Sequence, residues 1–286
     1  MASRLKTTLY DEGGATKHLK VATVALQCDV EPTVNRARIV AMTEAIVDAY
    51  PEVELVVFGE VILCWYNPKR RDYHQRTAEP IPGETTCTVA RLAMEHGIYI
   101  SLGLSESRDG RLYNAQVLLN PAGEIQAVHR KRYPKSDTFS RRPVPVTVTE
   151  IKGIKTGMLI CSDAASPRTM WELMKKRLEL IVLSLADDSD EGLFMAKFNA
   201  RMYDAWLVTA NRYGDEDGHS WDGHLMISDP LGRLRVTTRG QEQYQVYDLQ
   251  FASRPSWPKW LVRSAMVKAP VILHVLRNWK RARSYL

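Results

Sequence analysis

The chain has 286 residues, of which 45% are hydrophobic and 25% charged. That is enough to bury a core without disulfide or metal staples, and it is ordinary for a soluble globular protein. The formal net charge is +6, but residues 253–286 hold eight Lys/Arg and no Asp or Glu; taking these away leaves the other 252 residues at −2. A near-neutral body argues against a nucleic-acid-binding face, and no run of 18 apolar residues exists to span a membrane.

Strand-like and helical patterns alternate from Val21 onward. VATVALQ (21–27) reads as a strand. Residues 35–50 carry apolar side chains at helical spacing and predict an amphipathic helix. LVVF (55–58) is short enough for a buried strand and runs into Gly59-Glu60. ETTCTVARLAMEHG (84–97) has helix start and stop signals, and IYISLGL (98–104) follows as a strand. RLYNAQVLLN (111–120) and EIQAVHRK (124–131) flank Pro121-Ala122-Gly123 as a hairpin. IKTGMLICSD (154–163) reads as a strand entering PRTMWELMKKR (167–177), a helix with Pro167 at its first position. LELIVLSLA (178–186), GLFMAKFNARMYDA (192–205) and WLVTAN (206–211) predict strand, helix and strand. A second hairpin (224–236) turns on Pro230-Leu231-Gly232, and YQVYDLQ (244–250) closes the regular part. The alternation predicts an α/β protein with mixed sheets covered by helices.

The four cysteines, Cys28, Cys64, Cys87 and Cys161, form no CxxC pair and read as reduced thiols, which points to the cytoplasm. The first twenty residues lack the apolar core of a signal peptide. His129, His219 and His224 show no metal-ligand spacing, and there is no phosphate loop or GxGxxG, so neither metal nor cofactor is expected. The chain divides into an extension (1–20), one domain (21–252) and a basic tail (253–286).

Three ionisable residues sit at predicted strand ends, where α/β folds concentrate their sites. Glu60 follows VVFG, Lys131 ends IQAVHR, and Cys161 ends TGMLI before a turn. Taken singly, such a cysteine is more often core, and such a Glu or Lys is usually solvated. Their order and context carry more. VVFGE (56–60), HRK (129–131) and GMLICSD (157–163) resemble the motifs of the carbon–nitrogen hydrolase (nitrilase) superfamily, and ARMYDAWLVTANRYG (200–214) and WDGHLMISDPLGR (221–233) extend the likeness.

The resemblance implies a four-layer α-β-β-α sandwich with two mixed sheets, assembled as a homodimer or a higher homo-oligomer. It also implies a thiol-dependent hydrolase of non-peptide C–N bonds. Cys161 would attack the substrate carbon and form a thioester. Glu60 would act as base, and Lys131 with the Ser162 backbone N–H would hold the oxyanion. The helix start after Cys161 would favour the thiolate. Cys161-Ser162-Asp163, where nitrilases typically show Cys-Trp-Glu, points to an amidase-like branch and a small-molecule amide or carbamoyl substrate. Nitrile hydrolysis, acyl transfer to an amine and a non-catalytic scaffold are the alternatives.

A second glutamate that many family members carry falls here at Phe139, with Asp137 as the nearby acid. Tyr66 and Asp187 are candidate substrate-binding residues. For Asp187, in the acidic run 187–191, the alternative is a solvated loop and helix cap; for Tyr66 it is core packing. The basic tail reads as a wrap around a partner subunit. A membrane-surface contact is its rival, disfavoured by Pro255, Pro258 and Pro270.

Overall fold

The computed structural model describes residues 15–141 and 145–252, with residues 265, 268 and 269 beyond them. The rest of the basic tail, and with it both readings of its role, lies outside the described residues. In chain order the elements are β1 (Ala15–Gln27), α1 (Pro32–Ala49), β2 (Leu55–Val57), α2 (Arg71–Thr77), α3 (Glu84–His96), β3 (Tyr99–Arg108), β4 (Arg111–Leu119), β5 (Ile125–Arg130), β6 (Val148–Ile151) and β7 (Ile154–Ile160). After a 3-10 turn at Cys161–Ala165 come α4 (Pro167–Met174), β8 (Leu180–Ser184), α5 (Glu191–Tyr203), β9 (Trp206–Glu216), β10 (His219–Asp222), β11 (Leu225–Ser228), β12 (Leu234–Thr238) and β13 (Gln243–Ala252).

The strands follow the order β5-β4-β3-β2-β1-β9-β8-β7-β6, with β13 on β1, β10 on β9 and the β11–β12 pair on β9. Strand β9 joins two sheets. Its first half, Trp206–Ala210, pairs in parallel with β8, whereas Asn211–Tyr213 pair in parallel with the end of β1. The sheets face each other through Leu19, Val21 and Val57 on one side and Met158, Val182 and Val208 on the other. Helices α1 and α3 cover the outer face of the first sheet through Ile39, Ile46, Val89 and Leu92. Helices α4 and α5 cover the second through Leu173, Ala196 and Ala200. This is the four-layer α-β-β-α arrangement with two mixed sheets. Burial on both faces is why β2 and β8 read as continuous apolar runs rather than alternating ones.

The elements depart from the sequence reading where partners, not local pattern, decide. Strand β1 starts at Ala15, six residues before the apolar run, because its polar first half pairs with β13 from Ala15↔Ala252 to Ala25↔Gln243. The extension expected at 1–20 therefore enters the sheet at its end. Strands β6 and β10 were not expected. Each is a four-residue hairpin arm, turned by Lys152-Gly153 and Asp217-Gly218 with positive φ at both residues. Helix α2 lies inside what reads as a loop.

Candidate active site

The strand order brings the ends of β2, β7, β8 and the middle of β9 to one end of the sandwich. Glu60 lies three residues beyond β2, Cys161 directly after β7, and Asp187 just past β8. Backbone bonds lock these ends together. Glu60 N–H donates to the Leu185 carbonyl at 3.0 Å, and Ser184 Oγ donates to the Phe58 carbonyl at 3.1 Å. Gly103 on β3 lets the Glu60 turn come close: a Cβ there would lie 2.5 Å from the Gly59 oxygen and 2.8 Å from Glu60 Cα. Val61 and Cys161 hold positive φ of 50° and 41°, conformations that side-chain-bearing residues avoid, and both flank this region. Strain of this kind, about 1–3 kcal/mol per residue, gathers at functional sites.

Glu60 is fully buried. Its Oε1 accepts from Lys131 Nζ and from Asn114 Nδ2, both at 2.6 Å, while Oε2 is buried with no hydrogen-bond partner among the described residues. Lys131, on the end of β5, is 2% exposed. Burial opposes its ammonium, yet the charges of Glu60, Cys161 and Tyr66 together hold it above the ordinary lysine value. Lys131 and Cys161 line a common cavity of about 360 Å³, with Tyr66, Lys69, Lys135, Asp187, Asp188, His219 and Trp221 among its walls. That volume suits a small metabolite.

The helix start expected to favour the Cys161 thiolate is only a 3-10 turn. Burial dominates instead and pushes the thiol up to about 11, assisted by Glu60 and opposed by Lys131 and Lys135. At neutral pH Cys161 is a thiol, so nucleophilic chemistry there requires a base beside it.

Of the other expected residues, Tyr66 lines the cavity and packs against Phe139, Trp221 and His74 at ring-centroid distances of 6.1–6.5 Å. Burial and the Glu60 charge hold its phenol above the usual range. Ser162 turns its Oγ to the Tyr133 carbonyl at 2.7 Å, which leaves its backbone N–H for any part in the site. Asp187 lines the cavity, but its Oδ1 accepts from Ser189 N and Oγ at 3.2 and 2.8 Å, and a Cβ at position 192 would collide with its Oδ2. Its Oδ1 thus serves the turn into α5 while the residue still faces the cavity. Phe139 is buried with its ring 4.9 Å from that of His74. Asp137 is exposed, so it does not reach inward in place of the second glutamate.

Three supports escaped the sequence reading. Asp163 ties the Cys161 turn to the Lys131 loop, accepting from the Arg132 and Tyr133 N–H groups at 2.9 and 3.1 Å through Oδ1 and meeting His129 Nε2 at 2.9 Å through Oδ2. Both Asp163 and His129 are fully buried, and both lie inside the quoted motifs, which was the available signal. Arg212, also fully buried, donates to the carbonyls of Glu60, Val61 and Cys64 at 2.8, 2.6 and 2.6 Å and pairs with Glu216. It thereby clamps the strained turn after Glu60. Asn211 holds the Asp187 backbone at both N–H and carbonyl. An arginine at a strand end reads as solvated, so nothing local announces this clamp.

Behind the Tyr66 wall, His74 Nε2 bonds the Asn67 carbonyl at 3.0 Å and Nδ1 meets Ser105 Oγ at 3.1 Å. Burial lowers its imidazole from the ordinary 6.5 to about 4. A lowered histidine stabilises the fold above its ordinary value, and that stability goes as pH falls from 6.5 through 4. The raised Cys161 thiol stabilises the fold below its ordinary 9, and that stability goes as pH rises from 9 through about 11. Urea unfolding across pH is therefore expected to show a plateau between about 6.5 and 9 with losses on both sides. The acid arm costs roughly 3 kcal/mol, and His74→Asn should flatten it.

Comparison with known proteins decides what this arrangement belongs to. The carbon-nitrogen hydrolase family profile matches residues 20–259. The chain belongs to the carbon–nitrogen hydrolase family. It is accordingly a hydrolase of carbon–nitrogen bonds other than peptide bonds. An (R)-stereoselective amidase of a Pseudomonas species is 26% identical over 72% of this chain and 76% of its own length. An ω-amidase of Danio rerio is 27% identical over 66% and 75%. Among solved structures, Nit3 of Saccharomyces cerevisiae, described as a member of branch 10 of the nitrilase superfamily, superposes with a TM-score of 0.76 at 20% identity, covering 82% of this chain and 91% of that one. A mutant amidase from Nesterenkonia sp. AN1, with the acetamide moiety of fluoroacetamide added at its active-site cysteine, gives 0.71 at 17% identity, covering 84% and 92%. These likenesses match the four-layer fold described above. Among the described residues no group of three or more His, Cys, Asp or Glu could hold a metal, and no helix is long and apolar enough to cross a membrane.

Proposed function

We propose that the chain is a thiol-dependent amidohydrolase that cleaves a small amide or carbamoyl compound through a thioester on Cys161, with Glu60 as base and Lys131 in the oxyanion site. The observation that carries this reading is the 2.6 Å contact between the buried Glu60 carboxylate and Lys131, which lines the same cavity as Cys161. Glu60 Oε2, unpartnered, takes the Cys161 proton as sulfur attacks the carbonyl carbon. The carbonyl oxygen becomes an oxyanion against Lys131 Nζ and the Ser162 N–H. Collapse breaks the C–N bond, and the leaving nitrogen takes the proton from Glu60. Water then attacks the thioester while giving a proton to Glu60, and the returning proton restores the thiol.

The residues after the nucleophile, Ser162-Asp163, and the amidases among the relatives support amides over nitriles. A panel of primary amides, carbamoyl amines and the matching nitriles is expected to release ammonia from amides or carbamoyl amines at rates well above those from nitriles. Faster nitrile turnover would overturn the choice of bond. Acyl transfer to an amine is the second reading, favoured by Phe139 standing where the second family acid would be; added amine acceptors that divert the product from free acid would establish it.

A homodimer is part of the proposal. Trp171 on α4 and Phe194 on α5 are 63% and 64% exposed on the layer covering the second sheet, and such apolar exposure supports an interface there. The four free cysteines support a cytoplasmic setting.

A further inference from the structure

Arg212 lies opposite Leu26, in the half of β9 that pairs with β1, and is fully buried. A guanidinium has five N–H donors and no acceptor. Here all of them are used inside the protein. Nε meets both oxygens of Glu216 at 3.1 Å, and Nη1 donates to the Glu60 and Val61 carbonyls at 2.8 and 2.6 Å. Nη2 donates to the Cys64 carbonyl at 2.6 Å and to Glu216 Oε2, which also accepts the Tyr66 N–H at 2.9 Å. The pair thus grips backbone groups at 60, 61, 64 and 66. That stretch starts at Glu60, turns through Val61 at φ 50°, ends at the cavity-lining Tyr66 and belongs to no helix or strand. The Glu60 backbone is fixed on both sides, its N–H by the Leu185 carbonyl at 3.0 Å and its carbonyl by Arg212.

Arg212 does not line the cavity; its Cζ lies 6.0 Å from the ring centres of Tyr66 and Trp221, which do. With every donor engaged and no access to the cavity, it is not a substrate ligand. Burying a charged pair carries a desolvation cost that apolar side chains of similar volume would not, so stability alone does not account for it. What apolar side chains could not do is draw three carbonyls towards one point. We propose that the buried Arg212–Glu216 pair is a positioning unit for catalysis, which fixes the backbone of the 60–66 turn so that the Glu60 carboxylate stands in register with Cys161 for proton transfer. This deepens the reading of Glu60 as general base and rests on it. Proton transfer needs its partners within hydrogen-bond reach, and a misplacement of about 1 Å can cost about 10²-fold, so a loosened turn acts on kcat before it acts on binding.

The test removes both charges together in the full-length protein. Arg212→Met with Glu216→Met leaves no unpaired buried charge, so the fold is expected to persist by circular dichroism and thermal unfolding. Its kcat for ammonia release from amides is expected to fall by about 10²-fold, with KM changed far less. The readout that a merely structural role would not move is the alkylation of Cys161 against pH. The Glu60 charge helps to hold that midpoint at about 11. The double change should displace the midpoint when Glu60 is present and leave it where it stands in a Glu60→Gln background, which has no charge to misplace. Should the double variant fail to fold, Glu216→Gln carries the same comparison and keeps an oxygen for the Tyr66 N–H. A folded double variant with wild-type kcat, or a midpoint displaced equally in both backgrounds, would overturn the positioning role. An inactive Glu60→Gln beside an unimpaired double variant would overturn that role alone. Full turnover by Glu60→Gln would overturn the reading of Glu60 as base, and the positioning role with it.

Discussion

Lys131→Met is expected to destabilise the protein by about 3–5 kcal/mol at pH 7 and to remove turnover, because it leaves a buried carboxylate without its cation. Glu60 is fully buried, and after the change only Asn114 would donate to it. An exposed lysine–glutamate pair is worth at most about 1 kcal/mol, so the size of the loss separates a buried pair from a surface contact. The pH dependence separates it further. In the wild type the raised Lys131 contributes stability that is fully present below the ordinary 10.5 and is lost only as pH rises through its higher folded value. Urea unfolding of both proteins from pH 7 upward measures this. A loss below about 1 kcal/mol at pH 7 would mean that the pair is solvated.

Glu60→Gln is expected to reduce kcat by about 10²–10⁴, the range for losing a positioned general base, and to cost stability as well, because buried Lys131 loses its anion. Glutamine keeps an oxygen for the Lys131 and Asn114 donors but cannot carry the proton between thiol, leaving nitrogen and water. The thiol itself should respond in the opposite direction. Burial is the largest influence raising Cys161, Glu60 adds to it, and Lys131 opposes it. Removing the Glu60 charge while keeping Lys131 therefore brings the thiol below about 11. Alkylation of Cys161 as a function of pH reads that midpoint, and steady-state ammonia release reads kcat. Lower turnover with a more acidic thiol identifies Glu60 as a proton carrier. Lower turnover with an unchanged midpoint would mean that Glu60 is remote from the sulfur.

Much of this arrangement is legible in the residue order, for identifiable reasons. VVFGE and GMLICSD mark two strand ends because each apolar run stops at a polar residue that cannot continue a buried strand; the two lie in different sheets, and β9, pairing with β1 and β8, sets their ends at one end of the sandwich. The hairpin at Pro121-Ala122-Gly123 likewise carries Lys131 back to Asn114, whose carbonyl accepts the Lys131 N–H at 2.8 Å. What is not legible depends on partners distant in sequence. Arg212 reaches the Glu60, Val61 and Cys64 carbonyls across some 150 residues, and the first half of β1 exists only because β13 pairs with it. Asp187 lines the cavity as its place past a strand end implies, but the bond from Ser189 that its Oδ1 accepts in the turn into α5 has no signal in the sequence.

The central claim is that Cys161 becomes covalently acylated, and it can be measured directly. Wild-type protein and Cys161→Ala are incubated with amides, followed by intact mass, peptide mapping and assay of ammonia. Mapping is needed because Cys87 is exposed, whereas Cys28 and Cys64 are buried and burial raises their thiols. The account predicts an acyl adduct on the peptide containing Cys161 and neither adduct nor ammonia from the variant. Turnover retained by Cys161→Ala, or an adduct mapped to another residue, would contradict it.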